Sequence, residues 1–334
     1  MEINKILAVR DDRMGDFILT LPAIHALQEA FPSARLTVAV SPIVYPLAVR
    51  VLPGKNVFSH AGSFSKFYSF LKSESFDLVV FFRPRLGTAL GAFLAGIPKR
   101  LGTGYRGYSF LYNFKHFEHR HTAEKQEAEY SIGLLKPLGI EKSLRFDTIN
   151  IDVKEAEGAA KKFGLDLSKN WVAVHSGSGG SSPNWPKKNY VELARKLSEA
   201  GFSVLWTGSV PELQGVDELG VSLAGKTEIW DLACLYSRCK LVVAPSTGPL
   251  HLATLVGTPV VGIYSPVRVN LPRRWGPLGP NAKTLVPPVP ECSCKAGACR
   301  RGDCMELLAV ERVFQTAFNL AERAAVPLTS GKQV

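Results

Sequence analysis

Three aspartates follow the first apolar segment of this 334-residue chain. Residues 6–10 (ILAVR) are predicted to form a strand, and Asp11, Asp12 and Asp16 lie in the charged turn between it and an amphipathic helix. An aspartate just before a helix is most often an N-cap, whose carboxylate accepts hydrogen bonds from backbone N–H groups. The alternative for Asp16 is a general base at a strand end. We interpret Asp11 and Asp12 as loop surface, and Gly15 either as a turn with positive φ or as a close approach to a substrate.

A second helix is predicted to begin at small and hydroxyl-bearing residues after the apolar strand at residues 241–246. Ser246, Thr247 and Gly248 occupy this helix start. Unpaired N–H groups and the positive end of the helix dipole can hold a phosphate there. His251 lies four residues after Thr247, close enough to face the same anion. The alternative is a Ser/Thr cap beside a partly buried histidine.

A loop rich in glycine and serine follows the predicted strand at residues 171–176. Ser176, Gly177 and Ser178 would supply donors with room for a diphosphate or a sugar. A flexible linker is the alternative, although a linker would not begin directly from a buried strand. The loop has neither the GxGxxG nor the Walker spacing, which argues against dinucleotide and P-loop sites. Trp185 is expected to pack against the following helix.

Four cysteines lie close together late in the sequence. They are Cys292, Cys294, Cys299 and Cys304. In a cytoplasmic protein, which we expect here, a disulfide framework is not favoured. The alternatives are reduced thiols and a structural clip that holds zinc or another thiophilic metal. The CxC spacing differs from that of paired CxxC knuckles, so we favour reduced thiols.

The composition, 46% hydrophobic and 21% charged, is that of a soluble globular protein. No apolar run reaches the roughly 18 residues that a membrane span needs, and the N-terminal segment lacks the apolar core of a secretory signal. The net charge of +11 favours phosphates, nucleic acid or an anionic membrane. Basic residues are scattered, so a nucleic-acid partner is not expected. A solvated basic face is the alternative to an anion-binding surface.

The two halves of the sequence begin with similar βαβ patterns, which predicts an α/β protein of two doubly wound, Rossmann-like domains that face a central cleft. Apolar runs typical of buried parallel strands lie at residues 6–10, 35–40, 77–82, 171–176, 203–208, 241–246 and 259–265. We expect an N-terminal domain at 1–155, a C-terminal domain at 156–315, and a helix end and tail at 316–334. Ligands of such sheets bind at the carboxyl ends of the strands, where the loops described above lie.

Three segments in order resemble the signatures of glycosyltransferase family 9, the ADP-heptose:lipopolysaccharide heptosyltransferases. They are ILAVRDDRMGDFILTLPAI with its continuation to SP, VAVHSGSGG followed by NWPKKNYVELARKL, and LVVAPSTGPLHLATLVGTPVVGIYSPV. The resemblance spans the chain from Ile6 to about Val313. It implies the GT-B architecture and inverting transfer of a heptose or related sugar from an ADP-sugar. The implied acceptor is a lipopolysaccharide core or a similar anionic glycan, with no required metal or cofactor.

The resemblance also assigns roles to residues. Asp16 matches the aspartate of the family's MGD motif, the general base, and this reverses the preference for an N-cap. The residues that would bind the donor are Ser176, Gly177, Ser178, Lys187, Glu212, Ser246, Thr247, Gly248 and His251, with Glu212 on the ribose hydroxyls. The residues that would bind the acceptor are Gly15, Arg83, Arg85 and Arg100. Peripheral contact with the inner membrane is a further expectation.

Two positions depart from the family pattern. Pro183 stands where many relatives have a lysine that neutralises the donor phosphates, and Lys187 or Lys188 could substitute for it. Ser246 stands where several relatives have an aspartate. The alternatives to a transferase are an epimerase or hydrolase of GT-B type, and a non-catalytic nucleotide-sugar-binding or metal-clipped scaffold protein.

Overall fold

The computed structural model describes residues 2–52, 54–180, 182–210, 219–294 and 304–324. The chain divides into two compact units, Met1–Phe146 and Asp147–Val334. Within the described residues, each unit contains a six-stranded sheet whose neighbouring strands are parallel. No helix among these residues is long and apolar enough to cross a membrane.

The sheet of the first unit has the strand order β3-β2-β1-β4-β5-β6. Its strands are β1 (Lys5–Arg10), β2 (Arg35–Val40), β3 (Asn56–Ser59), β4 (Leu78–Phe81), β5 (Lys99–Thr103) and β6 (Phe114–His116). Its helices are α1 (Met14–Ile18), α2 (Leu21–Ala30), α3 (Tyr45–Val51), α4 (Phe64–Glu74), α5 (Leu86–Leu94) and α6 (Glu127–Gly133). The central strands β1 and β4 are apolar and buried on both faces, since helices cover a doubly wound sheet on both sides.

The sheet of the second unit has the order β12-β11-β10-β7-β8-β9. Its strands are β7 (Trp171–His175), β8 (Ser203–Thr207), β9 (Val221–Ser222), β10 (Leu241–Pro245), β11 (Val260–Ile263) and β12 (Ala282–Leu285). Its described helices are α7 (Val153–Lys162), α8 (Lys187–Glu199), α9 (Ile229–Tyr236), α10 (Gly248–Leu255), α11 (Pro272–Trp275) and α12 (Val310–Arg323). The core of this unit includes Trp185 and Trp206.

The helix α7 belongs wholly to the second unit. Asp152 caps it by accepting a hydrogen bond from the backbone N–H of Lys154 at 2.8 Å. The helix packs against α9, with an ion pair of 2.7 Å between Lys162 Nζ and Asp231 Oδ2. The division of the chain therefore falls before α7, and the predicted boundary after residue 155 lies inside this helix. At the other end, α12 crosses the predicted boundary at 315, and residues 325–334 of the predicted tail lie outside the described residues.

Candidate functional site

Asp16 lies inside a helix rather than at its cap. The helix α1 begins at Met14, so Asp16 is its third residue, and Arg13 stands at the N-cap position without a side-chain cap. The side chain of Asp16 is 20% exposed, and its Oδ1 accepts a hydrogen bond from Nη2 of Arg10. The N-cap interpretation of Asp16 is therefore wrong, because its carboxylate binds a guanidinium instead of backbone N–H groups.

Arg10, the last residue of β1, is the partner of that carboxylate. Its side chain is 3% exposed, and its Nη1 donates to the carbonyl of Phe82 at 3.2 Å. Its Nε lies 2.9 Å from Asp12 Oδ1, and its Nη2 lies 3.9 Å from Glu127 Oε1. Burial alone would lower the pKa of the Arg10 guanidinium. The attraction of the carboxylates of Asp12, Asp16 and Glu127 outweighs this effect, so the pKa is raised.

Asp11 is buried beneath a histidine and two arginines. His60 Nε2 lies 3.5 Å and Arg85 Nη1 lies 3.3 Å from Asp11 Oδ2. Arg83 donates from Nη1 to the backbone carbonyl of Asp11 at 2.7 Å. Burial lowers the pKa of His60, an effect that Asp11 opposes and Arg85 reinforces. The interpretation of Asp11 as loop surface is wrong, because the carboxyl ends of β1, β3 and β4 converge here and bring these side chains over it.

Asp12 is also drawn inward rather than left on the surface. Its Oδ1 faces Arg10, and its Oδ2 lies 3.7 Å from Arg83 Nε. The pKa of Asp12 is raised to about 6, because burial and the neighbouring carboxylates of Asp16 and Asp11 together outweigh the attraction of Arg10 and Arg83. The interpretation of Asp12 as loop surface is also wrong, because its carboxylate lies between Arg10 and Arg83 instead of in solvent.

The proposed acceptor residues do not all lie together. Arg83 and Arg85 follow β4 and meet at Asp11. Gly15 is buried within α1 with no positive φ, so the turn interpretation does not hold. Arg100 is on β5, where its Nε donates to the carbonyl of Leu111 at 2.8 Å and its Nη1 to that of Ile97. Its guanidinium therefore binds these two backbone carbonyls and does not lie with Arg83 and Arg85 at Asp11.

The first turn of α10 carries a buried histidine. Thr247 stands at the N-cap position, but its Oγ1 donates to the carbonyl of Pro245 at 3.3 Å and caps no N–H group. The Ser/Thr-cap alternative is therefore wrong for Thr247. His251 is 3% exposed, and its Nδ1 has no hydrogen-bond partner among the described residues. Burial lowers the pKa of His251 to about 4, so its ring is neutral at neutral pH.

The loop after β7 is held by Asn184, a residue that sequence reasoning considered only as the neighbour of Pro183. Its Nδ2 donates to the carbonyl of Ser176, and its Oδ1 accepts from the backbone N–H of Trp185 at 3.0 Å and from Tyr190 Oη at 3.3 Å. The Oγ of Ser176 is buried and lacks a hydrogen-bond partner in the described part of the chain. The sequence signal for this role is a polar residue that follows a glycine-rich loop and lies beside the first turn of a helix.

The same loop includes other expected donor residues. Ser178 Oγ donates to the carbonyl of Ser182 at 3.1 Å, and Gly177 is buried. Trp185 packs edge-on to Tyr190 of α8 with 4.9 Å between ring centroids, so the packing expected of it is confirmed. The loop is thus a structured turn rather than a flexible linker.

The remaining donor residues are placed as follows. Lys187 is the exposed first residue of α8, whereas Lys188 forms an ion pair of 2.8 Å with Glu306. Ser246 is half-buried, and its backbone N–H donates to the carbonyl of Ile263 at 3.2 Å. Glu212 lies outside the described residues.

Of the four clustered cysteines, Cys299 lies outside the described residues. Cys304 is buried, and Cys292 and Cys294 are half-buried. Within the described ranges, no group of three or more His, Cys, Asp or Glu residues is arranged to hold a metal ion.

Comparison with known proteins identifies the family. The sequence model of glycosyltransferase family 9 (heptosyltransferase) matches residues 64–304. A protein of Haemophilus influenzae named provisionally as a glycosyltransferase is 29% identical over 303 residues, which cover 83% of this chain and 86% of that protein.

Two solved structures share the fold. The structure of Escherichia coli ADP-heptose LPS heptosyltransferase II has a TM-score of 0.79 at 21% identity and covers 96% of this chain and 99% of its own. The structure of E. coli heptosyltransferase WaaC with ADP has a TM-score of 0.69 at 18% identity and covers 93% and 98%. These structures confirm the predicted α/β fold with two parallel sheets of GT-B type. The chain belongs to glycosyltransferase family 9, the heptosyltransferase family.

Proposed function

We propose that this protein transfers a heptose or a related sugar from an ADP-sugar to the core of lipopolysaccharide or a similar anionic glycan, with inversion at the anomeric carbon. The observation that carries the proposal is Asp16, a partly exposed carboxylate fixed beside the end of β1 by a buried arginine. The named substrates of the E. coli relative, ADP-heptose and LPS, support the choice of donor and acceptor.

Asp16 is the proposed general base. The acceptor hydroxyl must lose its proton as its oxygen attacks the anomeric carbon, and a carboxylate in hydrogen-bond reach can accept that proton. A single displacement of this kind inverts the configuration. The bond between the anomeric carbon and the diphosphate breaks with its electron pair, which leaves on ADP.

The start of α10 is the proposed site for the leaving diphosphate. The first-turn N–H groups, beginning at Gly248, lie at the positive end of the helix dipole, and an anion is stabilised there. Nδ1 of His251 and Oγ of Ser176, which have no hydrogen-bond partner among the described residues, supply further polar groups for a ligand. Lys187, exposed at the first position of α8, is the proposed substitute for the lysine absent at Pro183. We place Ser178, Ser246 and Thr247 along the same donor, and Glu212 on its ribose.

The first unit is the proposed acceptor-binding domain and the second the donor-binding domain. Arg83 and Arg85 are held by Asp11 at the carboxyl end of the first sheet, with side chains that are still partly exposed. Two cations fixed in this way suit a phosphorylated glycan. Gly15 and Arg100 stay in the proposal as further acceptor residues.

The proposal requires neither a metal nor another cofactor, because the helix start and Lys187 would compensate the charge of the diphosphate and the neutral ring of His251 would offer it a hydrogen bond. The clustered cysteines are then reduced thiols or a structural clip. Retention of activity after dialysis against a chelator would agree with this part of the proposal.

We also propose a cytoplasmic protein that touches the inner membrane through a basic aromatic surface. We define this surface by Tyr105, Arg106, Phe110, Lys115 and Phe117, which lie on β6 and on the segments that flank it. All five are exposed, Phe110 by 73% and Phe117 by 61%, and the rings of Tyr105 and Phe117 lie 5.6 Å apart. Exposed aromatic rings among cations favour the interface of an anionic bilayer.

The experiment that tests the proposal measures ADP release and acceptor mass with ADP-heptose as donor. A transferase releases ADP only when a heptose-deficient lipopolysaccharide core is present, and the acceptor gains the mass of one heptosyl unit. Release of ADP without acceptor would indicate a hydrolase, and conversion of the donor without release would indicate an epimerase. If the donor binds and nothing reacts, the scaffold alternative is favoured.

A further inference from the structure

We infer that Arg10 is the positioning residue of the proposed base: its guanidinium fixes the carboxylate of Asp16 with one oxygen directed to the acceptor hydroxyl. The inference rests on the proposed function, since it assigns Arg10 a role only if Asp16 takes the proton.

Three groups lie around the Arg10 guanidinium. Nη1 donates to the carbonyl of Phe82 at 3.2 Å, Nε lies 2.9 Å from Asp12 Oδ1, and Nη2 donates to Asp16 Oδ1. Because the guanidinium is planar and rigid, fixing it against Phe82 and Asp12 fixes the direction from which it meets Asp16. A lysine has the charge but not the fork, so it cannot make the three contacts in one geometry.

A second arginine supports the first through a buried acid. Glu127, the first residue of α6, has a side chain that is 2% exposed. Its Oε1 lies 2.6 Å from Arg120 Nη1 and 3.9 Å from Arg10 Nη2. Arg120 also donates from Nη2 to the carbonyl of Tyr130 at 3.3 Å. The carboxylate of Glu127 thus ties the end of β1 to α6.

The charges around Asp16 explain why the cation is needed. Arg10 contacts Asp16 directly, and the same cation faces Asp12 and Glu127. Arg83 reaches Asp12 from the loop after β4. Without Arg10, three carboxylates would share one partly buried region, and mutual repulsion would favour protonation of at least one of them. A protonated Asp16 could not accept the proton of the acceptor hydroxyl.

The geometry also separates the two oxygens of Asp16. Oδ1 accepts from Arg10, so Oδ2 is the atom that we assign to the proton of the acceptor. In the step, the hydroxyl proton passes to Oδ2, the hydroxyl oxygen bonds to the anomeric carbon, and the bond from that carbon to the diphosphate breaks. Arg10 takes no proton and touches no substrate, which makes it a positioning residue rather than a catalytic one.

The test compares pH profiles of kcat/KM for the wild type, Arg10→Met and Arg10→Lys in the complete protein. For Arg10→Met we expect kcat to fall about 100-fold, because a misplaced reacting group costs that much, with the KM for donor unchanged. The acid limb of its profile should move to higher pH, because Arg10 lowers the pKa of the neighbouring Asp12 and the variant loses this effect. Arg10→Lys keeps the charge, so its acid limb should stay near that of the wild type while kcat falls.

Two further variants complete the test. Arg35→Met removes a surface arginine that pairs with Glu74 at 3.3 Å, and it should change neither kcat nor the profile. Glu127→Gln removes the support without removing Arg10, and it should lower kcat less than Arg10→Met does. If Arg10→Met fails to fold, which a melting curve compared with that of the wild type would reveal, Glu127→Gln still tests the inference. If Arg10→Met, or Glu127→Gln in its place, has the wild-type kcat and profile while Asp16→Asn is inactive, Arg10 has no positioning role. If Asp16→Asn is fully active, the proposed base itself is wrong.

Discussion

The three carboxylates that follow β1 have different surroundings although they lie within six residues of one another. Asp11 is buried beneath His60 and two arginines, and Asp12 is largely buried between Arg10 and Arg83. Asp16 has the most exposed side chain of the three. Solvent access therefore favours Asp16 as the carboxylate that can meet a hydroxyl from outside, and the other two serve to hold cations.

At the same scale, His251 gives a prediction about pH. Its pKa is lowered from 6.5 to about 4 in the folded protein, so between these values the unfolded chain binds more protons than the folded chain. The contribution of His251 to the free energy of unfolding is therefore fully present above pH 6.5. It falls by about 3 kcal/mol at most as the pH drops toward 4. His251→Gln should lose less stability over this range than the wild type does, as measured by denaturation midpoints at both ends. An equal loss in the two proteins would contradict the assignment.

Sequence reasoning found the titratable residues but not their partners. Asp16 and His251 were singled out from their types and places in the pattern. Arg10 was read only as the end of an apolar strand, although a charged residue that ends a buried strand needs a counter-charge, and Asp16 stands six residues later. His60 and Glu127 could not be found in this way, because strand order and the approach of α6 bring them in from distant parts of the sequence.

At the scale of elements, a substitution at the start of α10 should weaken ADP binding without lowering thermal stability. Thr247→Asp places a negative charge where the diphosphate should lie, and ADP affinity should fall about 100-fold or more. Aspartate is also a favourable N-cap and interacts well with the helix dipole, so the thermal midpoint should hold or rise. Calorimetric titration of ADP and a melting curve measure the two effects.

Thr247→Ser is the matched control, since it keeps a hydroxyl of similar size without a charge, and it should bind ADP like the wild type. If Thr247→Asp binds ADP with unchanged affinity, the diphosphate does not lie at this helix start.

The elements that sequence periodicity predicted are those at the centres of the two sheets. Apolar runs at β1, β2, β4, β7, β8, β10 and β11 gave clear strand patterns, and all seven are confirmed. The edge strands β3, β6, β9 and β12 and the strand β5 beside an edge are not predicted, because these strands are only partly buried and their apolar patterns are weak. The sequence pattern places Asp16 just before the first helix, whereas α1 begins at Met14, and this is why the N-cap prediction is wrong.

At the scale of the whole molecule, the net charge of +11 predicts salt-sensitive binding to anionic vesicles. The protein should co-sediment with phosphatidylglycerol vesicles at low salt, and less with phosphatidylcholine vesicles or at high salt. Arg106→Gln with Lys115→Gln should weaken this binding, since each cation near such a surface contributes about 1 kcal/mol.

The matched control for the vesicle experiment is Lys154→Gln with Lys161→Gln, which removes the same charge from exposed positions of α7. If both pairs weaken binding equally, the net charge attracts the bilayer and the basic aromatic surface has no special part. If binding to the two kinds of vesicle is equal, the membrane proposal fails.

The most direct measurement of the central claim is the rate of acceptor-dependent ADP release by Asp16→Asn. The amide keeps the shape of the carboxylate but cannot take the proton, so the rate should fall about 100-fold to 10,000-fold, the usual contribution of a general base. ADP affinity should be unchanged, and Glu29→Gln, which alters an exposed carboxylate of α2, should have the wild-type rate. A wild-type rate in Asp16→Asn would contradict the account, because the transfer would then proceed without the carboxylate that Arg10 holds.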